Sequence, residues 1–329
     1  MKLTLFTDEN KNFPAFFYFD PDSITAHFYY KLSDIPIDRK QINQLTHINV
    51  KNLNEILFIC IDKKHAFQLN QTNSNSTDNL SIMKSHLQKC VRRGEKTLAI
   101  ETGKYMIEKG QTPELLRRLF IICLEDTILT PQLVPLTWLM IISNKNYVIP
   151  DHINAWILGF IALISELKYS DDPDFTSGKV SPKKDLMSRV KKLPQLERDL
   201  IMSLVIRISY GGMSGDLKML NNFITKWLER FEHTHSHDMI TKPLPQITTT
   251  KLDKNKMLLP AFDFHCTNII KLIQKNTDLD ENKLKELIWN HSSSINFRKA
   301  NEPNDVKLWQ SIEPYFISSA EYIRNKLIL

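Results

Sequence analysis

Glycine is scarce, with 8 among 329 residues, and charged residues make up 24%. That composition excludes a collagen-like chain and a flexible low-complexity one. Cysteine is scarce too: Cys60, Cys90, Cys123 and Cys266 lie far apart, with no C-x-x-C pair. A disulfide scaffold is therefore not expected; reduced thiols in an intracellular compartment, cytoplasmic or nuclear, are. The longest apolar run, AWILGFIALI at 155–164, falls well short of the roughly 20 residues that span a bilayer. The opening MKLTLFTDENKN turns acidic too soon for a secretory signal. No membrane partner is expected. The chain also lacks a G-x-x-x-x-G-K-[ST] phosphate loop, an H-E-x-x-H zinc motif, a serine-hydrolase elbow and the kinase signature set. No cofactor, metal site or catalytic residue follows from motifs, and an enzyme is the minority expectation.

What is present suffices for a sizeable core, with 42% hydrophobic residues. The net charge of +6 is mildly basic, which permits nucleic acid or an acidic partner without requiring either. Residues 1–69 are expected to form a small β-rich region. AFFYFD, AHFYYKL, THINV and EILFICID are short aromatic or β-branched runs, and DPDS at 20–23 reads as a hairpin turn. The polar tract NQTNSNSTDN at 70–79 reads as a linker. From Leu80 the apolar period becomes helical, with Gly94 and Gly110 as terminators. Thr112-Pro113 and Thr130-Pro131 read as N-cap and first helical position of two further helices. A central helical domain over 80–232 and a C-terminal helical region over 257–329 follow. The expected fold is mainly α, a helical bundle or array with a small β-rich N-terminal region.

ELLRRLFIICLEDTILTP, 114–131, carries arginines before an apolar run and acids after it. Residues 119–124 are apolar on every side, so this helix should be buried all round. Glu125 and Asp126 fall near its C-terminal end, where the helix dipole disfavours acids, so they need an outside partner. Arg117, Arg118, Glu125 and Asp126 are therefore expected to form a structural polar clamp between helices.

The segment 84–136 resembles the helical region that follows the ATPase module in RarA/MgsA-type members of the clamp-loader clade of AAA+ proteins. Lys84, Ser85, Arg93, Gly94, Arg117, Arg118, Leu119, Glu125, Asp126 and Pro131 carry the resemblance, over about a sixth of the chain. It implies a helical oligomerisation or DNA-handling module of replication and repair. Without the phosphate loop, ATP hydrolysis is not carried over.

Lys89, Arg92, Arg93 and Lys96 recur at near-helical spacing, and Lys183, Lys184, Arg189, Lys191 and Lys192 form a second basic cluster. Two such stripes can neutralise a nucleic-acid backbone without reading its sequence; interspersed acids also allow solvated helix faces. His233, His235 and His237 alternate in a loop-like tract, read as exposed polar residues rather than metal ligands. SYGGMSGD at 209–216 is read as a tight turn in preference to an anion nest. In IWNHSSSINFRK, Trp289, His291, Phe297 and Arg298 allow base stacking, though packed aromatics are the commoner use. Asp263, His265 and Cys266 are the residues an unfamiliar enzyme would use, although neighbours on a helix diverge by about 100°. The leading expectation is a non-enzymatic protein bound to DNA or RNA. A structural scaffold acting through protein partners or a homo-oligomer is the alternative.

Overall fold

The computed structural model describes residues 15–50, 55–69, 79–127, 129–167, 186–233, 247, 251–263, 265–293 and 303–328. Among these, strands β1 (Ala15–Asp20), β2 (Thr25–Tyr29), β3 (Ile42–Val50) and β4 (Glu55–Asp62) come first. Helices follow: α1 (Leu80–Arg93), α2 (Lys96–Glu108), α3 (Thr112–Asp126), α4 (Leu133–Ser143), α5 (Asp151–Ser165) and α6 (Leu186–Val190). The chain continues with α7 (Gln195–Ser209), α8 (Ser214–His233), α9 (Thr267–Ile273), α10 (Glu281–Ile288) and α11 (Pro303–Ile328). The fold is mainly α with a small N-terminal β region.

The elements separate into two compact units. The first holds the sheet, Thr130–Ile149 and helices α6 to α8. The second holds α1 to α3, α5 and α9 to α11. The segments interleave, so the division does not follow the compositional boundaries 1–69, 80–232 and 257–329. Helix α4 explains why. All eleven of its residues are buried, and it joins the sheet's unit although its neighbours in sequence, α3 and α5, belong to the other.

The sheet has the order β2-β1-β4-β3. Two antiparallel hairpins, β1–β2 and β3–β4, meet along a parallel β1–β4 pair. Asp20 shapes the first hairpin turn by accepting the Asp22 N–H at 3.0 Å and the Ser23 hydroxyl at 2.8 Å. β1 does not alternate polar and apolar residues because both faces of the sheet are covered. Phe16, Tyr18 and Cys60 face one cluster with Ile35 and Ile42. On the other face Phe19 stacks on Trp138 of α4, whose indole N–H donates to the Phe17 carbonyl at 3.1 Å. β2 is tied to α7 through Asp199, which is fully buried. Its carboxylate takes the Phe28 N–H at 3.2 Å and the Gln195 amide at 2.8 Å, and lies 2.9 Å from His27 Nδ1.

In the second unit, Gly94 (φ 75°) and Gly110 (φ 70°) end α1 and α2 in the left-handed region, which a side chain would strain. α3 begins one residue earlier than the Thr-Pro signal implies, with Gln111 in the capping position. In the sheet's unit, α4 begins later, at Leu133, because Thr130–Gln132 form a turn closed by the Leu133 N–H on the Thr130 carbonyl at 3.3 Å. The largest departure lies at AFDFHCTNIIKLIQK, 261–275, whose apolar spacing reads as one amphipathic helix. Cys266 takes φ +56°, and this left-handed residue separates a 3₁₀ turn, Leu259–Phe262, from the short α9. α9, α10 and α11 then enclose their own core of Ile269, Ile270, Leu284, Leu287, Trp309 and Phe316.

Candidate functional site

Helix α1 is buried on nearly every side, and its polar residues are buried with it: Ser85, His86, Gln88 and Lys89. It packs against α2, α3, α5 and the Leu259–Phe262 turn, so it has no solvated face to give them. Lys89, only 4% exposed, donates to the Ser85 hydroxyl one turn back at 3.0 Å. Burial pushes its ammonium down to about 8, while the nearby Cys266 and Asp263 pull the other way. His86 lies one residue after Ser85, its Nδ1 2.8 Å from the Thr102 hydroxyl and its Nε2 3.4 Å from the Cys90 thiol. Burial pushes it down to about 3, so its ring stays neutral.

The rest of this polar centre comes from far along the chain. Asp263 caps α9 by accepting the N–H groups of Asn268 at 2.6 Å and Ile269 at 3.0 Å. Cys266 is buried beside it, and burial pushes its thiol up, against the opposing pull of the nearby Lys89. Ser293 belongs to a single π-helical turn, Trp289–Ser293, at the end of α10. The same turn offers the Ser292 carbonyl to Arg93 at 2.8 Å, and its His291 stacks on Trp309 with ring centres 5.5 Å apart. A buried lysine, a left-handed cysteine and a π turn thus converge, features that gather where a structure serves more than packing. Ser85, Lys89 and Cys266 are all covered. Of the trio at 263–266, Asp263 and Cys266 turn inward and His265 outward.

The acids at the end of α3 find their outside partner in Arg92 of α1. Arg92 Nε donates to Asp126 at 2.7 Å, and its Nη2 reaches Asp126 at 3.2 Å and Glu125 at 3.1 Å. Burial works against its charge, but the two carboxylates hold its pKa above the usual value. Gln88 bridges the set, donating to Glu125 and accepting from Arg118 at 3.1 Å. Arg117 pairs within its own helix, with Glu114. The clamp is therefore centred on Arg92, a residue that the sequence groups with the phosphate-binding stripe.

That stripe is not a solvated face. Lys89 is buried, Arg92 is held by Asp126, Arg93 by the Ser292 carbonyl, and Lys96 pairs with Glu166 at 2.7 Å. In the second cluster Arg189 pairs with Glu232 at 2.8 Å. Lys191 and Lys192 are exposed, and Lys191 lies over the Tyr30 ring at 5.1 Å, which Arg198 approaches at 5.6 Å. Lys183, Lys184, His235, His237, Phe297 and Arg298 lie outside the described residues. At the glycine-rich turn, Arg207 donates to the Gly211 carbonyl at 2.6 Å. Among the described residues no group of three His, Cys, Asp or Glu is placed to hold a metal. No helix among them is long and apolar enough to cross a membrane.

The outer face of α11 is the exposed feature the sequence reading passed over. Its inner face, Trp309, Ile312, Phe316 and Ala320, is buried on α9 and α10. Outside, Leu308, Tyr315 and Tyr322 are 38%, 39% and 52% exposed at seven-residue intervals, which is one line along a helix. The signal was available, since two apolar stripes instead of one run through WQSIEPYFISSAEYI. No protein-family model, curated protein or solved structure matches this chain.

Proposed function

We propose that this protein acts by binding other protein surfaces and not by catalysis, with the outer face of α11 as a contact. One observation carries the reading: large apolar and tyrosine side chains stand exposed in register along a helix whose opposite face is already buried. Tyrosine supplies large contact area at little entropic cost and is enriched at binding hot spots. A photo-crosslinking residue in place of Tyr315, with one at the exposed His152 as control, tests this in cells that make the protein. Adducts specific to position 315 are expected, and their masses identify the partner. Absence of any adduct at 315 above the control overturns the reading.

A second reading, nucleic-acid binding, is favoured by the exposed Lys191 and Lys192, where Lys191 and Arg198 gather at the Tyr30 ring. It agrees with the basic net charge and with the function implied by the clamp-loader resemblance. Fluorescence anisotropy with labelled DNA and RNA across salt measures it. Binding that weakens steeply with salt, and that Lys191→Glu with Lys192→Glu reduces, supports it. No binding at low salt removes it.

A further inference from the structure

We infer that α11 pairs with α11 of a second copy of this chain, antiparallel, along the line of Leu308, Ser311, Tyr315, Ser318 and Tyr322. This rests on the reading of that face as a protein contact and names the partner. The line alternates large and small residues at steps of three and four, the spacing of a two-helix seam. Ser311 and Ser318 leave gaps, and both hydroxyls are already satisfied, donating to the Leu308 carbonyl at 2.7 Å and the Tyr315 carbonyl at 3.1 Å. A partner can therefore cover them without stranding a donor. In antiparallel register, Leu308 of one copy fills the gap at Ser318 of the other, and Tyr315 fills the gap at Ser311. That same register sets Lys307 against Glu321 of the second copy, and Glu321 against its Lys307. Both residues are exposed on the flank of the seam away from the molecule's own core. Side-chain size and charge thus select one arrangement. A parallel pairing would align large residue with large and would leave Lys307 and Glu321 on the side of the seam away from their counterparts.

The test is sedimentation velocity of the full chain across protein concentration, with the two charges exchanged. A reversible dimer is expected, of micromolar order for a seam this short. Lys307→Glu or Glu321→Lys alone makes two attractive pairs repulsive and should weaken the dimer by about fivefold or more. The double exchange should restore it. These positions are exposed, so circular dichroism of the variants should match the parent. A mixture of Ser311→Cys and Tyr315→Cys chains should oxidise to a mixed disulfide faster than either alone. A monomer at every concentration, or a dimer in which the double exchange is no better than the single changes, overturns the inference. If the chain stays monomeric while a crosslinker at 315 captures a different protein, the contact reading stands and self-pairing falls. If neither occurs, both fall.

Discussion

Lys89 lowers stability at neutral pH by its ionisation, and its position gives that a sign. A lysine whose pKa falls on folding, here from 10.5 to about 8, holds its proton less tightly in the native state. Stability is then lowest below about pH 8 and rises toward pH 10.5, where only the unfolded chain stays protonated. Other groups titrate over that range, so the informative quantity is the difference from Lys89→Met. Urea unfolding at pH 7 and pH 10 should show the parent gaining on the variant by an amount on the order of 3 kcal/mol. Parallel pH profiles would mean that Lys89 is solvated. Nothing in KSHLQKC marks this lysine as buried. A Ser and a Lys four residues apart on a helix read as a polar face, and the segments that cover them, around Asp263 and Ser293, lie more than 170 residues later.

At the scale of elements, punctuation and period were legible and partners were not. AFFYFD and EILFICID become β1 and β4 at the expected positions, and Gly94 and Gly110 end α1 and α2, because turn chemistry and local sterics act over a few residues. The helix 114–126 also announced its need for an outside cation, but not which one. Arg92 sits two residues after Cys90 in a run of basic residues, and only the packing of α1 on α3 shows that it faces inward. The pair makes a clear test. Asp126 is 2% exposed, so Asp126→Asn leaves a buried guanidinium short of its main partner and should cost about 3 kcal/mol in urea unfolding. Replacing the pair, Arg92→Met with Asp126→Leu, removes both charges together and should cost less than the single change. A double variant less stable than Asp126→Asn would mean the pair contributes net stability. The stretch 261–275 is not one continuous helix because a single residue, Cys266, adopts φ +56°, which no apolar periodicity encodes.

For the whole molecule, the interleaving of segments decides which pieces can exist alone. A chain ending at residue 238 keeps every element of the sheet's unit but removes α9 to α11 and the turn that covers Lys89. It should retain the β-sheet signature while exposing apolar surface, read as binding of a hydrophobic dye. A clean monomer with no dye binding would show that α1 to α3 and α5 are self-sufficient. The same topology bears on synthesis. The ribosome delivers α1 and α3 early, yet the Leu259–Phe262 turn that packs on α1 follows roughly 130 residues after α3 ends. At typical elongation speeds that interval is on the order of ten seconds. During it the nascent chain carries an uncovered apolar surface around an ionised lysine, a ready substrate for a chaperone. The charge that strains the finished fold thus helps to keep its unfinished precursor soluble.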